Sequence, residues 1–148
     1  MPTPFETLDA FLAGCEYDSQ AWSDGCECET AEKMLAKLEA EDWARLEQNF
    51  ELRGVQWRGC LGQALAPKMH PAASRILRRL TRDPDEEVAF LTVYFNGWNL
   101  GKEHLTPELR EDYRNAMKGA SPSNQEHLQR MLDHLELEAG GTNPKVQD

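Results

Sequence analysis

Apolar residues recur at intervals of three and four along most of the chain, and capping residues, prolines and glycines separate the apolar runs. This period is typical of α-helices that bury one face, so the sequence predicts about eight helices. The first helix should open at Thr3-Pro4-Phe5-Glu6, which has the form of a capping box with proline at the first helical position. The one β-rich run, at 91–95, lies within a helical period, and we therefore predict an all-α fold.

The clearest pair of predicted helices lies in residues 70–99, HPAASRILRRLTRDPDEEVAFLTVYFNGWN. The first apolar run stops at the turn Asp83-Pro84-Asp85, because proline cannot continue a helix and an aspartate can cap the next one. The second run begins at Val88. Two further helix pairs are predicted, residues 30–50 with 54–66 and residues 107–118 with 122–138.

This order of helix, Asp-Pro-Asp turn and second helix resembles one HEAT-like repeat, and the resemblance covers about 30 residues of the chain. It implies a short HEAT-like α-solenoid built from antiparallel helix pairs. A single domain would span residues 1–139, followed by a flexible tail at 140–148. The middle pair alone shows the turn clearly, the first pair carries an extra short helix, and residues 15–28 form a long loop before it.

The formal net charge of −10 is distributed unevenly. Residues 1–52 carry thirteen acids and three bases, residues 53–82 carry seven bases and no acid, and residues 83–148 carry thirteen acids and six bases. An acidic field repels nucleic acid and anionic lipid and attracts a basic partner, although it also serves simply to keep a protein in solution. We therefore expect a protein partner with a basic surface and no binding to nucleic acid.

Arginines in the middle segment form a stripe at helical spacing, Arg75, Arg78, Arg79 and Arg82. Such a stripe could face nucleic acid, but no aromatic residues interleave with it. The simpler interpretation is that the stripe neutralises acidic helices packed beside it.

The chain has no motif of a known catalytic or cofactor-binding site: G-x-S-x-G, S-x-x-K, G-x-x-x-x-G-K and G-x-G-x-x-G are all missing. The four histidines occur at no metal-binding spacing, and Cys15, Cys26, Cys28 and Cys60 form no C-x2-C pair. We predict that the protein is not an enzyme and has no cofactor and no metal. A site of three thiolates at Cys15, Cys26 and Cys28 is the alternative.

The sequence also bears on location. No apolar run approaches the roughly 20 residues that span a membrane. The opening MPTPFETLDAFLAG lacks the basic region of a secretory signal. We expect a cytoplasmic protein with reduced thiols and no membrane contact.

Residues 15–28, CEYDSQAWSDGCEC, show no helical period and are predicted to form a loop. The loop is acidic and contains Trp22, and an aromatic anchor within an acidic rim is typical of a contact with a basic protein. Alternatively, Trp22 folds back and covers the end of the helical array. The candidate partner-binding residues are Tyr17, Asp18, Trp22, Asp24, Glu27, Glu29, Glu47 and Glu51.

The DPDEEV turn with its flanking helices, the single-domain size and the acidic composition together resemble small acidic HEAT-like immunity proteins of bacterial toxin systems. The resemblance implies a cytoplasmic protein that binds a cognate toxin and occludes its active site. Two other functions stay open, namely a HEAT-like scaffold or adaptor for protein-protein interaction and a small enzyme with a pocket that the sequence does not reveal.

Overall fold

The protein was described from a computed structural model, which covers residues 1–100 and 106–139 and gives only the backbone at 98–100 and 137–139. These residues contain α-helices and two short 3-10 turns, at Phe50–Leu52 and Pro67–Met69, and no β-strand. The all-α prediction is confirmed. The α-helices are α1 (Pro4–Ala13), α2 (Gln20–Ser23), α3 (Glu27–Ala36), α4 (Ala40–Asn49), α5 (Val55–Ala64), α6 (Pro71–Leu80), α7 (Glu86–Leu100), α8 (Pro107–Gly119) and α9 (Pro122–Ala139).

The chain forms two compact units, residues 1–80 and residues 81–148, which are described separately here. The boundary falls beside the Asp-Pro-Asp turn, so that α6 belongs to the first unit and α7 to the second. The single domain over residues 1–139 stays a prediction. The tail predicted at 140–148 lies outside the described residues.

In the first unit, α1 packs against α3, α4 and α5, and α4 also contacts α6. The predicted pairing of residues 30–50 with 54–66 is found as contact between α3 and α5. Large apolar side chains from each of these helices fill the core, and they are Leu8, Leu12, Leu35, Trp43, Leu46, Leu61 and Ile76.

The predicted capping box at the start of α1 is present. The Thr3 hydroxyl accepts a hydrogen bond from the Glu6 backbone N–H at 3.1 Å, and the Glu6 carboxylate accepts one from the Thr3 N–H at 2.8 Å. The hydrogen bond from the Thr3 N–H to the charged carboxylate lowers the pKa of Glu6. The box sets where α1 begins, and with it the register of Phe5 and Leu8 in the core.

Asp42 joins the starts of two helices. It is a buried carboxylate in the first turn of α4. One oxygen accepts from the Glu39 N–H at 3.0 Å, and the other accepts from the Phe5 N–H of α1 at 3.1 Å. Helix starts leave N–H groups without partners inside the helix, and one side chain here satisfies a donor on each of two helices.

Arg75, Arg79 and Arg82 of the basic stripe are paired with acids of the chain, in agreement with the expectation that the stripe neutralises neighbouring acidic helices. In the first unit Arg75 donates to both oxygens of Glu47 at 2.8 and 3.0 Å, and Arg79 is bonded to Glu51. In the second unit Arg82 donates to the fully buried Asp112 at 2.9 and 2.5 Å. The pairs with Glu47 and Glu51 hold α6 against α4 and the 3-10 turn that follows it. The pair with Asp112 holds Arg82, at the start of the second unit, against α8.

In the second unit, α7, α8 and α9 pack against one another around Val93, Tyr113, Leu128 and Met131. The predicted pairing of 107–118 with 122–138 is found as the contact between α8 and α9. Gly97 lets α7 approach α9 closely, since a Cβ atom at this position would lie 2.0 Å from the Met131 sulfur.

The turn that precedes α7 is built as its sequence indicated. The Asp83 carboxylate accepts from the Asp85 N–H at 2.9 Å, and the Asp85 carboxylate accepts from the Val88 N–H at 3.1 Å. Asp85 therefore caps α7, and the prediction of an aspartate cap at this turn is confirmed.

Replacing Asp42 by alanine should lower the free energy of unfolding by about 2 kcal/mol, because two N–H groups lose their acceptors in a buried place. Asp42→Asn, which keeps one carbonyl oxygen, should cost less. Chemical denaturation of the full chain measures both, with Glu41→Ala on the exposed side of the same helix as the control. Equal stability of all three variants would contradict the joining role of Asp42.

Candidate functional site

Residues 15–26, named the strap here, lie across one face of α5. The Tyr17 backbone N–H donates to the Gln56 side-chain oxygen at 2.9 Å, and the Trp22 indole N–H donates to the Gln63 side-chain oxygen at 2.9 Å. Gly59 lies between these two glutamines in the sequence of α5, at offsets of three and four that keep all three residues near one helix face. The strap is thus attached to α5 at two points, Tyr17 and Trp22.

The Tyr17 ring occupies the space that a side chain at position 59 would need. A Cβ atom at Gly59 would lie 2.4 Å from Cδ2 of Tyr17. Tyr17 is one of the predicted partner-binding residues. In the structure its half-buried ring packs on α5 against Gly59. This packing explains the aromatic residue at position 17, and no partner protein is needed to explain it.

The prediction that Trp22 offers an exposed anchor is wrong, because its side chain is buried and only 1% exposed. The alternative weighed with it, in which Trp22 folds back, is the arrangement found. Burial removes the large apolar surface of the indole from water, and the hydrogen bond to Gln63 satisfies its one polar group. A side chain held in this way is not available to a partner.

The strap also contains a helix that its sequence did not predict. Helix α2 is a single turn, and the Ser19 hydroxyl caps it by accepting from the Trp22 N–H at 3.1 Å. One turn is too short to produce a periodic apolar pattern, since Trp22 is its one buried residue. The signal available in the sequence was a serine, Ser19, which is a common helix cap, three positions before the aromatic residue Trp22.

Gln63 is left incompletely bonded by this arrangement. An indole N–H can only donate, so the side-chain oxygen of Gln63 must face Trp22 and the amide nitrogen must point away. That nitrogen is buried and has no hydrogen-bond partner among the described residues. The contact between strap and α5 therefore depends on the apolar burial of Trp22 as much as on hydrogen bonds.

Acidic residues line the strap and the adjoining helix α3. Five of the six carboxylates are exposed and Glu27 is half-buried. The salt bridges formed by the described residues include none of the six, and no lysine or arginine occurs between positions 15 and 32. This group, named the acidic surface here, consists of Glu16, Asp18, Asp24, Glu27, Glu29 and Glu32.

Two members of the acidic surface also serve the helix that carries them. Glu27 and Glu29 lie in the first turn of α3, where a negative charge is favourable beside the positive end of the helix dipole. The preceding residue, Cys26, has a φ of 68° and offers no side-chain cap. Asp18 and Asp24 lie outside the helices, on either side of α2, and Asp24 contributes only its backbone N–H, which donates to the Gln20 carbonyl.

Glu47 and Glu51 differ from the other predicted residues because arginines already pair with them. The two hydrogen bonds from Arg75 lower the pKa of Glu47. Arg79 is bonded to Glu51 and stacks over the Phe50 ring, 4.7 Å from its centre. A partner would have to displace these arginines, and we leave both glutamates outside the acidic surface.

The thiols of the first unit are free. Cys15 and Cys60 are buried, Cys28 is half-buried and Cys26 is exposed. Burial raises the pKa of Cys15 to about 11, and burial together with the charge of Glu32 raises the pKa of Cys28 to about 11. The described residues contain no group of three histidines, cysteines or acids placed to hold a metal ion.

Neither a protein-family model, nor a curated protein, nor a solved structure matches this chain. None of the helices in the described part of the chain is both long and apolar enough to cross a membrane. A proposal for function therefore rests on the geometry of the chain itself.

The hydrogen bond between Trp22 and Gln63 can be tested with a double-mutant cycle. Trp22→Phe and Gln63→Leu should each destabilise the chain, because each leaves one buried polar group without its partner. The double variant should recover part of the loss, with a coupling energy on the order of 1 kcal/mol. Trp57→Phe combined with Gln63→Leu is the control and should be additive, since the Trp57 indole bonds to the Asp9 carbonyl instead. Additivity in both cycles would contradict the contact.

Alkylation should distinguish the four thiols. At pH 8 only about one in a thousand Cys28 side chains is a thiolate, because its pKa is about 11. We expect iodoacetamide to modify Cys26 first, Cys28 slowly, and Cys15 and Cys60 only in denaturant. Mass spectrometry of the peptides follows each site, and modification of Cys60 at the rate of Cys26 in the native protein would contradict this burial.

Proposed function

We propose that this chain is a protein-binding module and that its acidic surface contacts a basic region of a partner protein. The observation that carries the proposal is a contrast in charge pairing. The six carboxylates of the acidic surface form no salt bridge within the described residues, whereas many of the arginines are paired with other acids. These paired arginines are Arg53, Arg75, Arg79, Arg82, Arg110, Arg114 and Arg130.

A surface of this kind suits electrostatic recognition. Six like charges within seventeen residues repel one another, and cationic groups of a partner would relieve that repulsion. Because the strap is fixed to α5 by Tyr17 and Trp22, its carboxylates are held in place before a partner arrives. A preorganised surface loses less conformational entropy on binding than a mobile loop does.

Within this class we propose an immunity protein that neutralises a cognate bacterial toxin by occluding its active site in the cytoplasm. Support comes from the DPDEEV turn, from the acidic composition, and from the resemblance of both to small HEAT-like immunity proteins. A HEAT-like solenoid is part of the same proposal, and the contacts of α3 with α5 and of α8 with α9 are compatible with it. A HEAT-like scaffold or adaptor is the second candidate, since it would use the same surface.

The partner should be sought by co-purification from the source cell, and then measured by surface plasmon resonance against a charge variant. Changing Asp18, Asp24, Glu29 and Glu32 to their amides should lower the association rate at least about tenfold and flatten its dependence on salt. The dissociation rate should change less, because exposed charges mainly accelerate encounter. Trp22 is not used as a probe, since its replacement would disturb the core.

A matched control removes the same number of charges elsewhere. Glu41, Glu108, Glu111 and Asp133 are exposed acids that form no salt bridge among the described residues. Their amide variant should associate nearly as fast as the unmodified chain. If both variants slow association equally, net charge alone is responsible and the acidic surface is not the contact.

The immunity function needs its own experiment. A protein encoded beside this chain should be toxic when produced alone in a cell and harmless when this chain is produced with it. Survival should be lost with the variant that removes four charges from the acidic surface. A partner that is bound without being toxic would favour the adaptor instead.

A further inference from the structure

We propose that a groove in the first unit binds a small planar carboxylate, which Arg45 holds through its guanidinium group. The groove runs along α1 beside α4 and encloses about 530 Å³, a size within the usual range of small-molecule sites. It is separate from the acidic surface, none of whose residues lines it. The residues that matter to the argument are Phe5, Asp9, Ala10, Arg45, Asn49 and Arg53.

The groove exists because α1 carries small residues, Ala10 and Ala13, at positions that larger side chains surround. Ala10 and Ala13 are exposed on α1 and contribute only methyl groups to the floor. The rings of Phe5 and Trp57 are buried behind the guanidinium groups of Arg45 and Arg53, so they support the groove from behind. The groove thus offers an apolar floor beside charged groups, as is usual for sites that bind small organic molecules.

Arg45 is the group with unused binding capacity. Its guanidinium lies over the Phe5 ring, with the central carbon 4.7 Å from the ring centre, and this contact restricts the movement of the group. Its one hydrogen bond within the described residues is a long one of 3.4 Å to the Thr3 hydroxyl. A guanidinium has five N–H donors, so Arg45 has donors to spare for a ligand.

The carboxylates of the groove have hydrogen-bond partners other than Arg45, although the charge of Arg45 also contributes to the lowered pKa of Glu6 and of Asp9. Both oxygens of Asp9 accept from Arg53 at 2.8 Å, and this pairing lowers the pKa of Asp9. The Glu6 carboxylate is held by the Thr3 N–H in the capping box. Asn49 donates to the Arg45 carbonyl at 2.7 Å, which leaves its side-chain oxygen as an acceptor at the same end of the groove.

These features select the charge and shape of the ligand. A planar guanidinium matches the two oxygens of a carboxylate, and such bidentate pairs are the strong ones. Glu6 and Asp9 place two negative charges nearby, which repel a dianion such as a phosphate monoester more strongly than a monocarboxylate. The apolar floor of Ala10 and Ala13 suits a flat hydrocarbon body. The ligand class is therefore an aromatic or similarly flat monocarboxylate.

Benzoate is the probe for this site, titrated into the full chain and followed by two-dimensional ¹H–¹⁵N NMR. We expect saturable shifts of the amides of Ala10, Ala13 and Asn49 and of the Arg45 side chain. Benzamide, which has the same shape without the charge, should bind at least about tenfold more weakly, because it cannot form the charge-assisted pair.

Two variants locate the site and a third controls for charge. Arg45→Gln should weaken benzoate binding at least about tenfold, and Ala13→Leu, which fills the floor from an exposed position, should abolish the shifts. Lys68→Gln removes one exposed positive charge from the same unit outside the groove and should bind as the unmodified chain does.

Four results would overturn the proposal: no saturation at millimolar benzoate, equal binding of benzamide, equal weakening by Lys68→Gln, or tighter binding of inorganic phosphate than of benzoate. The measurement does not involve the protein partner, so its result is independent of the proposed function.

Discussion

The placement of a limited number of positive charges constrains this structure most. The chain has 26 acidic residues and 16 lysines and arginines, so full pairing is impossible and some carboxylates must remain alone. In the first unit, Arg53 holds Asp9 of α1, while Arg75 and Arg79 hold acids that follow one another along α4 and its 3-10 extension. These arginines pair with acids of neighbouring helices and so hold the helices together. Carboxylates beyond their reach remain unpaired, and they are concentrated along the strap and α3.

The strap has no periodic apolar pattern, yet it is held firmly against α5. The carboxylates of the strap form no salt bridge within the described residues. The strap is secured instead by a buried indole, by an aromatic ring packed on a glycine, and by two glutamine side chains of α5. Neutral contacts carry the attachment, and the charged groups are left facing solvent. Different side chains of the strap therefore have different roles: neutral ones attach it to the fold, and charged ones remain at the surface.

Local signals were the predictable part of the structure. The capping residues Thr3 and Asp85 act within a few positions of themselves, so the sequence alone located the helix starts that they define. Trp22 could not be placed in this way, because a tryptophan among acids is equally compatible with an exposed anchor and with a core residue until its partner is known. That partner, Gln63, lies 41 positions away. In the same way, the sequence around Gly59 does not indicate that the group packed against this glycine is the ring of Tyr17.

The pairing of Glu47 and Glu51 had a signal that was open to use. The two glutamates are spaced by four residues, and so are Arg75 and Arg79, so two helices packed side by side bring the pairs into register. Matching equal spacings of opposite charge would have removed both glutamates from the candidate contact residues. The acids of the strap have no such counterpart in the sequence.

The long separations along the chain have a consequence for the order of folding. Phe5 bonds to Asp42, Asp9 to Arg53, Tyr17 to Gln56 and Trp22 to Gln63, at separations of 37 to 44 residues. Contacts between distant segments form only after the intervening chain has been ordered or looped out, and they are slow to form. During synthesis, the N-terminal segment must therefore wait for α5 to emerge before it finds its place. Until then the indole of Trp22 and the carboxylates around it are all in water together, and the fixed array of charges forms only once α5 is present.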